Sequence, residues 1–271
     1  ALAQGADHLG QIVTCAAHRG SSLRHIAKAL KRRDARQADT ARDRFGRRIN
    51  QLLPLRQTMT EGSASWNIYA LPVTIYPAMA GAVVKQLWGQ AQSVLPALAG
   101  FQGWIPAKIV PGVLTMLGLK SAPRDARAEM EGHMVSTVVR WLGTGGLLFP
   151  SPSRTAQTAQ AILEKLTQAA GSRGAQAASK LARHITAGAK STVIGRATRE
   201  LALRARQEKA ADAFLTTRLG PTRYVNLEPS QIQQFCAADF PVTVKLGVFR
   251  MAAGLVPDCR RTRFWTQQSP S

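Results

Sequence analysis

Four constellations in this chain hold residue types that chemistry needs. Gly188, Ala189, Lys190 and Ser191 have the order of the end of a phosphate-cradling loop. Such a loop needs a glycine directly before the lysine and another five residues earlier, so that backbone N–H groups can surround the phosphates. Those places hold Ala189 and His184, and the flanking sequence is helical in composition, so no nucleotide site is expected. Cys15, His18 and His25 could ligate a metal, but a fourth ligand is missing and the stretch is cationic, which repels divalent ions. Asp125, Glu129 and Glu131 alternate with arginines in the manner of a salt-bridged surface rather than a general acid and base pair. Gly143, Thr144, Gly145 and Gly146 make a turn without the rest of a dinucleotide fingerprint. Nucleophile elbows and zinc-protease helices are missing too. Nothing here gives a reason to expect catalysis, a cofactor or a metal.

The other chemistry written into the residues is cationic. The chain has 36 Lys plus Arg against 15 Asp plus Glu, a formal net charge of +21. Phosphate backbones are the usual counterpart, because each Lys or Arg near nucleic acid releases a condensed counterion. Anionic lipid heads are the other. The charge is gathered into blocks: residues 19–48 hold eleven basic and three acidic side chains, residues 151–220 twelve and four, while 121–150 balance. In the first block the candidate phosphate contacts are Arg24, Lys28, Lys31, Arg32, Arg33, Arg36, Arg47 and Arg48. The second offers Arg196, Arg199, Arg204 and Arg206, and the tail offers Arg260, Arg261 and Arg263 beside Phe264 and Trp265, cations interleaved with aromatics that suit nucleic acid and equally a surface anchor.

The elements that must carry these side chains read as helices. Ser21 or Ser22 can cap the first, in which Leu23, Ile26, Ala27 and Leu30 recur on one face. After Pro150, Ser151, Pro152 and Ser153, a boundary cluster, the Ala, Gln, Arg, Lys and Leu of residues 155–219 predict two or three helices. Gly171 and Gly174 are expected to end one helix and Gly188 or Gly195 to interrupt the next. Between the blocks, Trp66 to Val84 has no charged residue and Ser93 to Leu119 only Lys108. That approaches the length of about 20 apolar residues that a bilayer span needs. Pro72, Pro77, Pro96, Pro106 and Pro111 argue instead for short, bent helices in a loop-rich packing wedge. Trp66, Trp88, Trp104 and Trp141 are expected as core or interface anchors, with stacking on unpaired bases the weaker reading. Val242 to Val248 alternates like a strand but equally fits a helix continuing through Met251, and Ser230 with Gln233 matches a capping box.

The fold class expected is mainly α, an irregular helical assembly with two basic blocks around an apolar Pro/Gly-rich middle and little or no sheet. Its segments are 1–53, 54–150, 151–220 and 221–271. Three scattered cysteines, Cys15, Cys236 and Cys259, spell no disulfide framework. The start at Ala1 points to a processed chain and would fit a mitochondrial location; the acid-free stretch from Val13 to Arg33 has the composition of an import sequence too, but reads better as a basic helix. The function expected is a non-catalytic structural subunit of a large ribonucleoprotein, an organellar (mitochondrial) ribosome being the best example, with rRNA and neighbouring protein subunits as partners. The alternative is an accessory subunit of an organellar membrane complex, with residues 66–119 in or on the bilayer and anionic membrane lipids or transmembrane subunits as partners. A free DNA-binding or secreted effector protein is the weakest option, for no DNA-reading motif is present.

Overall fold

A computed structural model describes residues 6–8, 11–13, 23–55, 57, 59–79, 85–98, 106–116, 121–208, 210, 211, 213 and 214. The fold is mainly helical. Sheet among the described residues is confined to an antiparallel ribbon, β1 (Ala6–His8) with β2 (Gln11–Val13), in which Asp7 faces Ile12. The strand-like run 242–248, the Ser230 cap and the tail with Arg260, Arg261 and Arg263 lie outside the described residues.

Helix α1 spans Leu23–Leu52, 30 residues and about 45 Å at 1.5 Å per residue. Its buried stripe is Ala41, Phe45, Ile49 and Leu52, at the helical spacing that keeps one face inward. Helix α2 (Met59–Ser65), a π turn (Trp66–Ala70) and α3 (Leu71–Met79) follow one another without interruption. The run is therefore longer than its prolines suggest. In the π turn the Leu71 N–H returns to the Trp66 carbonyl, and this widened turn lies just before Pro72, which has no amide hydrogen to give. Trp66 is fully buried, meets Phe45 edge to face at 6.1 Å and donates from Nε1 to the Arg124 carbonyl at 2.9 Å. Asn67 Nδ2 donates to the Ala122 carbonyl at 3.1 Å, while its Oδ1 accepts from Arg124 N at 2.8 Å. The strand-free strap 121–125 is thereby tied to the π turn. Next come α4 (Lys85–Leu98) and α5 (Val110–Met116), the latter as short as its prolines imply.

Helix α6 (Ala126–Leu142) is the centre of the molecule. Asp125 caps it, accepting from Ala128 N at 2.6 Å, and Gly143 ends it at φ +66°, a backbone region that costs glycine little. The short α7 (Gly145–Leu148) leads to α8 (Arg154–Ala169), whose cap is Ser153, the last residue of the Pro/Ser cluster. Helices α9 (Gly171–Thr186) and α10 (Ser191–Leu203) complete the described fold, and a π turn (Arg204–Glu208) extends α10. The break between α9 and α10 falls at Gly188, with φ +63°.

Two other glycines do the opposite of breaking. Gly174 lies inside α9 and Gly195 inside α10, both buried. Gly195 faces Gly132 where α10 crosses α6. A Cβ on Gly132 would stand 2.7 Å from the Gly195 carbonyl oxygen, and one on Gly195 would stand 3.0 Å from that of Gly132. Backbone meets backbone there, so the pair of glycines sets the distance between the helices. One apolar core then runs through α6, α8, α9 and α10, from Met134, Val135 and Val138 to Ala156, Leu166, Leu181, Ile194 and Leu201. The composition break at Pro150 to Ser153 is a turn between elements, and the core is continuous across it.

Candidate nucleic-acid interface

Among the described residues, some of the predicted contact arginines face solvent and others are held against carboxylates or a ring of the fold. Helix α6 explains this in part. Its acidic residues are not on the surface as their alternation with arginine suggested, for Asp125, Glu129 and Glu131 are all buried. A buried carboxylate is costly unless a cation and hydrogen bonds compensate it. Arg199 Nη1 donates to Glu129 Oε2 at 2.9 Å. Arg206 forks onto Glu131, Nη1 to Oε1 at 3.0 Å and Nη2 to Oε2, and Arg127 Nε adds a third bond to Oε1 at 3.0 Å. Planar guanidinium and planar carboxylate match in this geometry, which makes such pairs the strong ones. Arg199 and Arg206 thus serve the α6–α10 crossing.

His133 lies beside the first pair, its Nε2 3.4 Å from Arg199 Nη1 and 3.6 Å from Glu129 Oε2. Burial lowers its pKa below 6.5, and the Arg199 guanidinium lowers it further, against the opposing pull of Glu129. Arg124 and Arg140 also push it down. A neutral imidazole with Nε2 unprotonated accepts from the guanidinium.

Arg204 joins Lys180 on Glu200, at 3.3 and 2.9 Å, in a partly exposed cluster linking α9 and α10. Arg48 lies over the Tyr69 ring, 4.7 Å from its centre, and donates to the Tyr69 carbonyl, so it clamps α1 to the π turn. Arg32, Arg36 and Arg47 stay outward on α1. Spacings of four and eleven residues put the three on one side of the helix over about 22 Å of its axis. Arg44 is exposed beside them, and so are Asp39 and Asp43, of which Asp39 lies 3.6 Å from Arg42. Arg24, Lys28, Lys31 and Arg33 are on α1, but their side chains lie outside those described. On the second block the exposed cations among the described residues are Arg154, Lys165, Lys180, Arg183, Lys190 and Arg196, of which Lys180 is the one paired with Glu200. Sequence reasoning had included only Arg196 of these, because it weighed clusters and passed over single lysines and arginines between apolar positions.

Such an arrangement can hold phosphates by charge and hydrogen bonding. Among the described residues no three His, Cys, Asp or Glu side chains are gathered in a way that could hold a metal ion. No described helix is long and apolar enough to cross a membrane.

Comparison with known proteins yields no match: no family model, no curated protein and no solved structure resembles the chain.

Proposed function

We propose that this chain is a non-catalytic structural subunit of a ribonucleoprotein, an organellar (mitochondrial) ribosome being the assembly that its composition fits, and that α1 lies along RNA phosphates. The observation that carries the reading is the outward face with Arg32, Arg36 and Arg47 on a 30-residue helix, in a chain of net charge +21. Arg183 on α9 and Arg196 on α10, both exposed, are further contacts. Arg199 and Arg206 leave the contact set, because their guanidinium groups are committed to Glu129 and Glu131 on α6, respectively. Neighbouring protein subunits would cover apolar surface such as Ile68 and Tyr76. That same exposed surface, in a stretch without charge, supports the second reading, a subunit of a membrane complex.

The test is RNA crosslinking in the native assembly together with RNA affinity across a salt series. Each lost phosphate contact reduces the slope of log affinity against log salt by about 0.7 to 0.9. Arg32→Gln, Arg36→Gln and Arg47→Gln together should lower it by about 2. A native assembly without nucleic acid, or an unchanged slope in the triple variant, would overturn the proposal.

A further inference from the structure

One patch of surface is neither cationic helix nor core. Trp141, Leu142, Leu148 and Phe149, at the end of α6 and along α7, are exposed to 78, 48, 55 and 66 %. Four large apolar side chains in nine consecutive residues are more than scattered surface hydrophobics require. Trp141 is therefore no core anchor, unlike Trp66. The turn beneath them is closely built. A Cβ on Gly146 would stand 2.7 Å from that of Leu142, and one on Gly145 would touch the Phe149 ring at 3.7 Å. Gln160 of α8 donates from Nε2 to the carbonyls of Phe149, at 2.7 Å, and of Gly146, at 3.2 Å. The apolar side chains are thus presented on a fixed support.

Charge selects the partner. No acidic residue occurs between Glu131 and Glu164, and the tip is flanked by Arg140 and Arg154, both exposed. Leucines offer no stacking platform to a base, whereas Trp and Phe next to Leu, bordered by arginine, suit the boundary between lipid head groups and acyl chains. We infer that residues 140–154 are a docking tip for an anionic bilayer, with Trp141, Leu148 and Phe149 at the acyl boundary and Arg140 and Arg154 on head-group phosphates. This site is separate from the α1 face and does not depend on the RNA reading.

The experiment is sedimentation of the full chain with vesicles of phosphatidylcholine, with and without phosphatidylserine. The wild-type chain should bind the anionic vesicles more tightly. Trp141→Ser with Phe149→Ser should weaken that binding by about tenfold or more, from the apolar area no longer buried. Arg140→Gln with Arg154→Gln should weaken it and make it less sensitive to salt. The Arg32, Arg36 and Arg47 triple variant, which addresses the RNA reading, should keep its tip-dependent binding. In a second readout, vesicles with brominated acyl chains should quench wild-type fluorescence more than that of Trp141→Phe. Serine variants that bind as wild type, quenching that does not change with Trp141→Phe, or a self-associated chain that the serine pair makes monomeric with vesicle binding intact, would each overturn the inference.

Discussion

Replacing Gly132 by alanine adds one methyl group where two helix backbones meet. That Cβ would lie 2.4 Å from Arg199 Cγ, 3.1 Å from its Cδ and 2.7 Å from the Gly195 carbonyl oxygen. The arginine can swing, but the carbonyl belongs to the backbone of α10, so the helices must part. Overpacking of this kind costs about 1 to 3 kcal/mol. Alanine returns about 1 kcal/mol through its better helix propensity. Displacing Arg199 also loosens its bond to buried Glu129, and a broken buried pair costs about 3 to 5 kcal/mol, of which a fraction applies here. The net loss is about 2 kcal/mol, a fall of about 4 to 8 °C in Tm for a chain of this size. Gly46→Ala and Gly89→Ala are the controls, because an added Cβ meets nothing within 4 Å at either position. Each should gain up to about 1 kcal/mol. Gly195→Ala should lose stability as well, since its Cβ would meet Ser136 Cβ at 2.9 Å. The double variant should lose less than the sum, the first methyl having already opened the crossing. Urea and thermal unfolding followed by circular dichroism measure all five variants and the wild type. If Gly132→Ala melts at or above wild type while Gly46→Ala gains as stated, the close crossing is not what these glycines provide.

Two further outcomes concern the ion pairs. Arg206→Met leaves Glu131 buried with Arg127 alone and should cost about 3 kcal/mol, whereas Arg196→Met on the outward face should stay within about 0.5 kcal/mol, both read from denaturant midpoints. For His133 the folded pKa lies below 6.5, so the unfolded chain binds the proton more readily as pH falls. Its contribution to stability is constant above that unfolded value and is lost as pH drops through the window beneath it. His133→Gln should flatten this part of the stability profile, and an unchanged profile would refute the assignment.

Local signals in the sequence were a sound guide to class and to several ends of helices. Ser153 before an Ala-rich run, and Gly188 after one, are signals that operate within a few residues, and the structure uses both. Gly195 looks in its own neighbourhood like a breaker. Its reason is Gly132, far away in the chain, and no local pattern shows that. Arg199 and Arg206 mislead in the same way. A run of arginines reads as a solvated face until the carboxylates that turn two of them inward are placed opposite. Asp125, Glu129 and Glu131 looked like surface because acids and arginines alternate there, but burial is decided by α10 and α3, which pack on that helix. Trp66 and Trp141 carry the same side chain in opposite surroundings, and only the position of each along its helix separates them.

The carboxylates of α6 and the guanidinium groups that neutralise them are separated by 70 positions for Glu129 with Arg199 and by 75 for Glu131 with Arg206. During synthesis α6 therefore leaves the ribosomal tunnel well before the residues that allow it to be enclosed. Until they follow, Glu129 and Glu131 have only the local arginines Arg124 and Arg127 beside them, and the compensation that lets α6 be enclosed is incomplete. A product truncated ahead of Arg199 would keep only Arg124 and Arg127 beside these carboxylates, and enclosing α6 would cost it more than it costs the whole chain.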